Sequence, residues 1–190
     1  MTLNPMILQI TSWAAYLSAA ATVLTLLTGI LFFTQGETFG KVNDISSIFQ
    51  MVLMIPLPPV LALYIPTGYP LLTWAAAGIG LAGILLSVLG QSLLVLGRID
   101  FQASRKFFPA GGALGLWLIL VCLFGAGSGQ LGGLTLWPGL LAGAGYLTTV
   151  GGFLLGGQDH PIFYLGGGML GISYPIWAAA LGKLLTSTLL

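Results

Sequence analysis

The stretch FGKVNDISSIFQMVLMIPLPPVLALY, residues 39–64, decides the fold. It is apolar enough to enter a bilayer, it opens on Lys41, Asn43 and Asp44, and Pro56, Pro58 and Pro59 interrupt it. No other apolar run combines a polar mouth with a break partway down. The others read as plain spanning helices, so the chain is expected to be a bundle packed around this irregular member.

Composition fixes the solvent. Of 190 residues, 57% are hydrophobic and 5% charged, against about 25% charged in a soluble domain. Mean hydropathy is +1.03. Five basic and four acidic residues cannot hold such a chain in water, so lipid must replace water as the main solvent. A net charge of +1 provides no basic field for nucleic acid. Cys122 is the single cysteine, which excludes an internal disulfide and a cysteine-based zinc site. The N-terminal MTLNPMILQITSW lacks a positive leader region, and its apolar run is longer than that of a signal peptide. It is expected to stay as the first span.

A spanning helix needs about 20 mostly apolar residues. Six runs qualify: Ile7–Phe33, Ile45–Tyr64, Leu71–Leu96, Phe107–Phe124, Leu134–Leu155 and Ile162–Leu185. Backbone N–H and C=O groups in hydrocarbon must be satisfied internally, and an open sheet cannot do that. The expected fold class is therefore all-α: one polytopic transmembrane domain over 1–190, a six-helix bundle whose second helix is kinked or broken at its prolines.

Local signals refine the picture. Thr11, Ser18, Thr22, Thr25 and Gly29 put small, weakly polar groups on one face of the first span, which predicts helix packing there. Asp44 is a plausible N-cap for the second span, with Ser46, Ser47 and Gln50 on one face below it. Pro56 and the Pro58–Pro59 pair each remove backbone hydrogen bonds. That leaves either a simple kink or a discontinuous helix of the kind that lines transporter sites. Tyr64, Tyr69 and Trp74 around the IPTGYP turn read as an interfacial aromatic belt. In the third span, Ser87 and Gln91 share a face.

Loops 34–44, 97–106 and 156–161 fall on one side and hold Lys41, Arg98, Arg105 and Lys106, whereas the other side has only Lys183. By the positive-inside rule the first side is cytoplasmic, which sends both termini out across a plasma or inner membrane. Glycine is concentrated late in the chain: 20 of 29 fall after residue 110. Gly-x-x-x-Gly recurs at 111–115, 125–129, 129–133, 139–143, 152–156 and 167–171, yet chance at this density supplies about five such pairs. The expectation is close packing of the last three spans, with no single pair marking an interface.

Reactive chemistry is sparse. His160 is the only histidine and precedes Pro161 at a helix start, so it reads as a cap or loop residue. Ser128 in GAGSG and His160 fall on opposite sides, too far apart for a nucleophile and its base. No phosphate-binding loop is present. None of Glu37, Asp44, Asp100 and Asp159 lies at mid-membrane, which disfavours a proton pump. One polar cluster remains as a candidate ligand or lipid site: Lys41, Asn43, Asp44, Gln50, Gln91, Arg98 and Asp100, with Glu37, Asp159 and His160 on the same side. It reads either as an ion-pair network fixing the bundle or as a polar vestibule.

Two stretches, FGKVNDISSIFQMVLMIPL (39–57) and YPIWAAALGKLL (174–185), resemble those of a group of small bacterial six-helix membrane proteins. The shared features are a Phe-Gly-x-x-Asn-Asp-x-x-Ser-x-x-Gln entry into the second helix and a Tyr-Pro-x-Trp and Leu-Gly-basic ending. The resemblance implies six helices and supplies no catalytic residue and no cofactor. The function expected is that of a non-catalytic membrane protein, an accessory or packing subunit in contact with lipid and with itself or other membrane subunits. The alternatives are a small transporter or channel sited at the second helix, with Gln50 and Gln91, and a pigment- or lipid-binding subunit.

Overall fold

A computed structural model describes residues 3–36 and 39–188. Among them the regular structure is all helix, with no strand. In order the helices are α1 (Pro5–Gln35), α2 (Gly40–Met54), α3 (Leu57–Tyr64), α4 (Pro70–Val95), α5 (Phe101–Ser104), α6 (Ala110–Gly127), α7 (Trp137–Gly156) and α8 (Pro161–Ser187). Grouped by length and hydropathy they make six spans, with α2 and α3 sharing Gly40–Tyr64 and α5 leading into α6 over Phe101–Gly127. This is a multi-pass membrane protein.

The spans form a ring. Each packs on its neighbour in the order α1, α2–α3, α4, α6, α7, α8, and α8 closes back on α1. Large side chains fill the middle: Trp117, Trp177, Tyr174, Met54, Leu57, Leu61 and Ile84 are fully buried. The outside is apolar too, with Ile10, Leu24, Leu27, Leu86, Leu123 and Leu154 exposed. Apolar groups on both surfaces mean that lipid, not water, covers the outer one.

The second span needs two refinements. Its helix begins at Gly40, with Phe39 in the cap position and no side-chain cap bond. Asp44 therefore sits inside α2 and is not its N-cap. The Asn43 amide is instead committed to α1, so the polar entry is part of the packed helix. At the prolines, Ile55 (φ −51°, ψ −43°) and Pro56 (φ −73°, ψ −17°) keep helical dihedrals. Pro58 and Pro59 occupy the first turn of α3, where an N–H would lack an intrahelical partner anyway. The span is kinked rather than unwound, and buried Met54, Leu57 and Leu61 pack the kink.

Glycine brings the late spans together. A Cβ on Gly115 would lie 2.7 Å from the Gly143 carbonyl oxygen, and one on Gly143 would lie 2.7 Å from that of Gly115, so α6 and α7 touch through their backbones. At the α7–α8 crossing, a Cβ on Gly145 would lie 2.7 Å from the Leu170 nitrogen, and one on Gly166 would lie 2.8 Å from the Gly145 carbonyl oxygen. Gly129 and Gly133 instead serve turns at positive φ, and Gly167 faces open space. The Gly-x-x-x-Gly pairs 111–115 and 139–143 do pack α6 on α7, whereas 125–129, 129–133 and 167–171 each include a glycine in open space; the expected close approach is real and lies within the subunit. Gly166→Ala is expected to cost about 1–3 kcal/mol through overpacking. Gly167→Ala, one residue along, should be neutral or slightly stabilising. Reversible unfolding of both variants in detergent measures the difference.

Candidate functional site

The buried polar groups lie on the inner faces of the ring, in three levels. Nearest the charged side, Asn43 Nδ2 donates to the Thr25 carbonyl at 2.7 Å and to Thr28 Oγ1 at 3.3 Å. Thr25 Oγ1 donates to Ser46 Oγ at 3.0 Å, while Ser46 and Ser47 each donate to the Asn43 carbonyl at 2.9 Å. Gly29 leaves room for this junction, since a Cβ there would lie 3.1 Å from Asn43 Nδ2. At the opposite end, Ser12 Oγ lies 2.7 Å from the Gly182 carbonyl oxygen and 2.6 Å from Thr186 Oγ1. The small polar face of α1 is therefore used for packing, as its spacing predicts, with α2 on one side and α8 on the other.

The middle level is different. Ser18, Gln50, Tyr146 and Tyr174 each lie near the middle of their own span. Ser18 Oγ donates to the Ala15 carbonyl at 2.9 Å, which uses its only proton. The Tyr174 hydroxyl, 3.0 Å away, must then be the donor to Ser18 Oγ. Tyr146 projects from α7 toward Gln50, which comes from α2 on the far side of the ring, and Tyr174 stands nearby. Gln50 is 4% exposed and Tyr146 5% exposed. Among the described residues the Tyr146 hydroxyl makes no hydrogen bond of ordinary distance and angle, although the Gln50 side chain lies beside it. Aromatic rings floor this level: Trp117 and Trp177 meet edge to face with centroids 6.1 Å apart, and Tyr174 lies 5.7 Å from Trp177. Trp177 Nε1, also without a partner, borders Gly139 together with the Cys122 sulfur.

The residues singled out from sequence are dispersed over this frame. Asn43 is consumed in the α1–α2 junction. Gln50 reaches the middle of the ring. Gln91, near the end of α4, is half-buried with its Oε1 unpartnered, and no hydrogen bond joins it to Gln50 among the described residues. Asp44 is half-buried; Lys41, Arg98 and Asp100 are exposed. Asp100 caps α5, its Oδ1 accepting from the Ala103 N–H at 2.7 Å. His160 caps α8, its Nδ1 accepting from the Ile162 N–H at 3.3 Å, in keeping with the cap reading. Glu37 lies outside the described residues. Among the described residues no ion pair links these charges, and no three His, Cys, Asp or Glu side chains converge to hold a metal.

The sequence offers Tyr174 and Trp177 only as part of the Tyr-Pro-x-Trp resemblance, with no role attached, and does not single out Tyr146. A signal was present: tyrosines belong at membrane interfaces, and Tyr146 and Tyr174 stand in the middle of apolar runs. Comparison with family models, with curated proteins and with solved structures finds no match.

The two tyrosines provide an isosteric test. Tyr174→Phe removes a bonded hydroxyl and is expected to destabilise by about 0.6 kcal/mol, the usual worth of an interhelical hydrogen bond in lipid. Tyr146→Phe removes a buried hydroxyl that makes no well-formed hydrogen bond and is expected to stabilise by about 1 kcal/mol. Equilibrium unfolding of the two variants side by side would show opposite signs.

Proposed function

We propose that the protein is a non-catalytic accessory or packing subunit, acting in a homo-oligomer or in a larger membrane complex, and that it takes no nucleic-acid partner. The observation that carries this reading is the disposition of its polar groups. The buried ones are uncharged, most are tied into junctions between helices, and the charged ones sit at the span ends. What such a bundle offers to other molecules is its broad apolar flank. The chain is placed in a plasma or inner membrane with the Arg98–Lys106 face cytoplasmic and both termini outside, following the distribution of basic residues.

Purification in mild detergent, followed by native mass spectrometry and transfer to nanodiscs, tests the reading. The expected result is a fixed oligomer or a stoichiometric membrane partner. A monomer at every concentration, with no partner retained, would contradict it.

One observation favours a second reading, a pathway or site for a small neutral molecule. Gln50 and the Tyr146 hydroxyl meet near the middle of the ring without a hydrogen bond of ordinary geometry joining them. An amide and a phenol together both donate and accept hydrogen bonds, which suits an uncharged polar solute. Proteoliposomes challenged with glycerol or urea separate the two readings. Under the second, shrink–swell rates exceed those of empty vesicles and Gln50→Leu returns them to that baseline. Under the first, loaded and empty vesicles match.

A further inference from the structure

At the charged ends of the spans, a groove of 410 Å³ opens between the 101–105 segment and the turn that follows α7. Its volume falls within the roughly 300–1,000 Å³ of small-molecule sites. Two features make it more than a surface crease. The first is an ordered cation: the Arg105 guanidinium lies 5.0 Å from the Phe153 ring centroid, and its Nη1 donates to Gln102 Oε1 at 3.1 Å. Phe153 is held in turn by stacking on Phe108, with centroids 4.0 Å apart. The second is an anion in the same groove, Asp159, which forms no ion pair with Arg105 among the described residues. The groove thus presents two separated, unneutralised charges of opposite sign. Leu154 and Leu155, both largely exposed, run from it down the lipid-facing flank of α7.

We infer that this groove binds a phospholipid whose headgroup carries both a phosphate and a primary ammonium, the phosphatidylethanolamine class. The groove lies where the spans end, at the depth of lipid headgroups. A guanidinium has five N–H donors, so Arg105 retains several for phosphate oxygens after bonding Gln102. Asp159 accepts from the ammonium, which can donate three hydrogen bonds. The acyl chains lie along Leu154 and Leu155. Choline cannot donate to Asp159 because its nitrogen is fully methylated. A phosphatidylglycerol headgroup has no cation and sets its net negative charge against Asp159.

The test is native mass spectrometry of delipidated, detergent-purified protein with phosphatidylethanolamine, phosphatidylcholine and phosphatidylglycerol of matched acyl chains. The ethanolamine lipid is expected to be retained about tenfold better than the other two, the scale of one charge-assisted hydrogen bond. Arg105→Gln and Asp159→Asn should each lower its retention about tenfold, and Asp159→Lys should shift the preference to phosphatidylglycerol. All three changes are at exposed positions, and circular dichroism checks that the helices persist. If Arg105→Gln unfolds the protein, the two Asp159 variants carry the test alone. Tightest binding of phosphatidylglycerol to the unmodified protein would overturn the inference. So would an ethanolamine-to-choline ratio unchanged in Asp159→Asn. Displacement of the lipid by soluble phosphoethanolamine at equal concentration would assign the groove to a free metabolite, also against the inference.

Discussion

Hydrocarbon offers no hydrogen bonds, and every structural choice in this chain follows from that constraint. Backbone groups must pair within each span, so the chain is helical wherever it crosses. Side-chain polar groups must find partners inside the bundle, so serines and threonines collect on the inner faces. Ser12 and Ser18 of α1 bind to α8, and Thr25 and Thr28 bind to α2. Because lipid is as apolar as leucine, hydrophobicity alone cannot bring spans together. Close van der Waals contact must do it. Backbone-to-backbone contact at Gly115–Gly143 and Gly145–Gly166 is how the second half of the ring meets that need.

The same constraint gives weight to the polar groups left without partners. The Asn43 junction and the Ser12 junction are satisfied locally and hold helices together. The Tyr146 hydroxyl makes no well-formed hydrogen bond, though it sits near the middle of its span beside Gln50. A poorly paired polar group buried there costs about 1 kcal/mol or more, so the packing around it must be favourable enough to hold it. The contrast divides the interior into junctions that build the ring and a central pair that the ring holds. A packing subunit uses the junctions; a neutral-solute site would use the central pair.

Much of this was legible in the sequence, for reasons that can be named. Six long apolar runs give six spans because length and hydropathy are local properties of the chain. The clustering of charge at alternate loops, and the cap role of His160, also depend on near neighbours. Asp44 was misplaced as a cap because α2 starts a turn earlier, at Gly40, with no side-chain cap bond to mark it. The cluster of Lys41, Asn43, Asp44, Gln50, Gln91, Arg98 and Asp100 shared a side but not a depth, and shared depth is what brings side chains together. Tyr146 and Tyr174 converge on Gln50 and Ser18 only because the ring closes α8 onto α1. Ring closure is a property of the whole fold, so one span read alone could not reveal it.

The central claim is that six spans alternate across a bilayer, with the residues between α4 and α6 on the same side as those before α2 and after α7. Single cysteines placed at Gly36, Gly97, Gln158, Thr67 and Gln130 in a Cys122→Ala background, probed in sealed vesicles with a membrane-impermeant maleimide, test it most directly. The account predicts that positions 36, 97 and 158 label together from one side and positions 67 and 130 from the other. Labelling of all five from a single side, or of 97 together with 67, would contradict it.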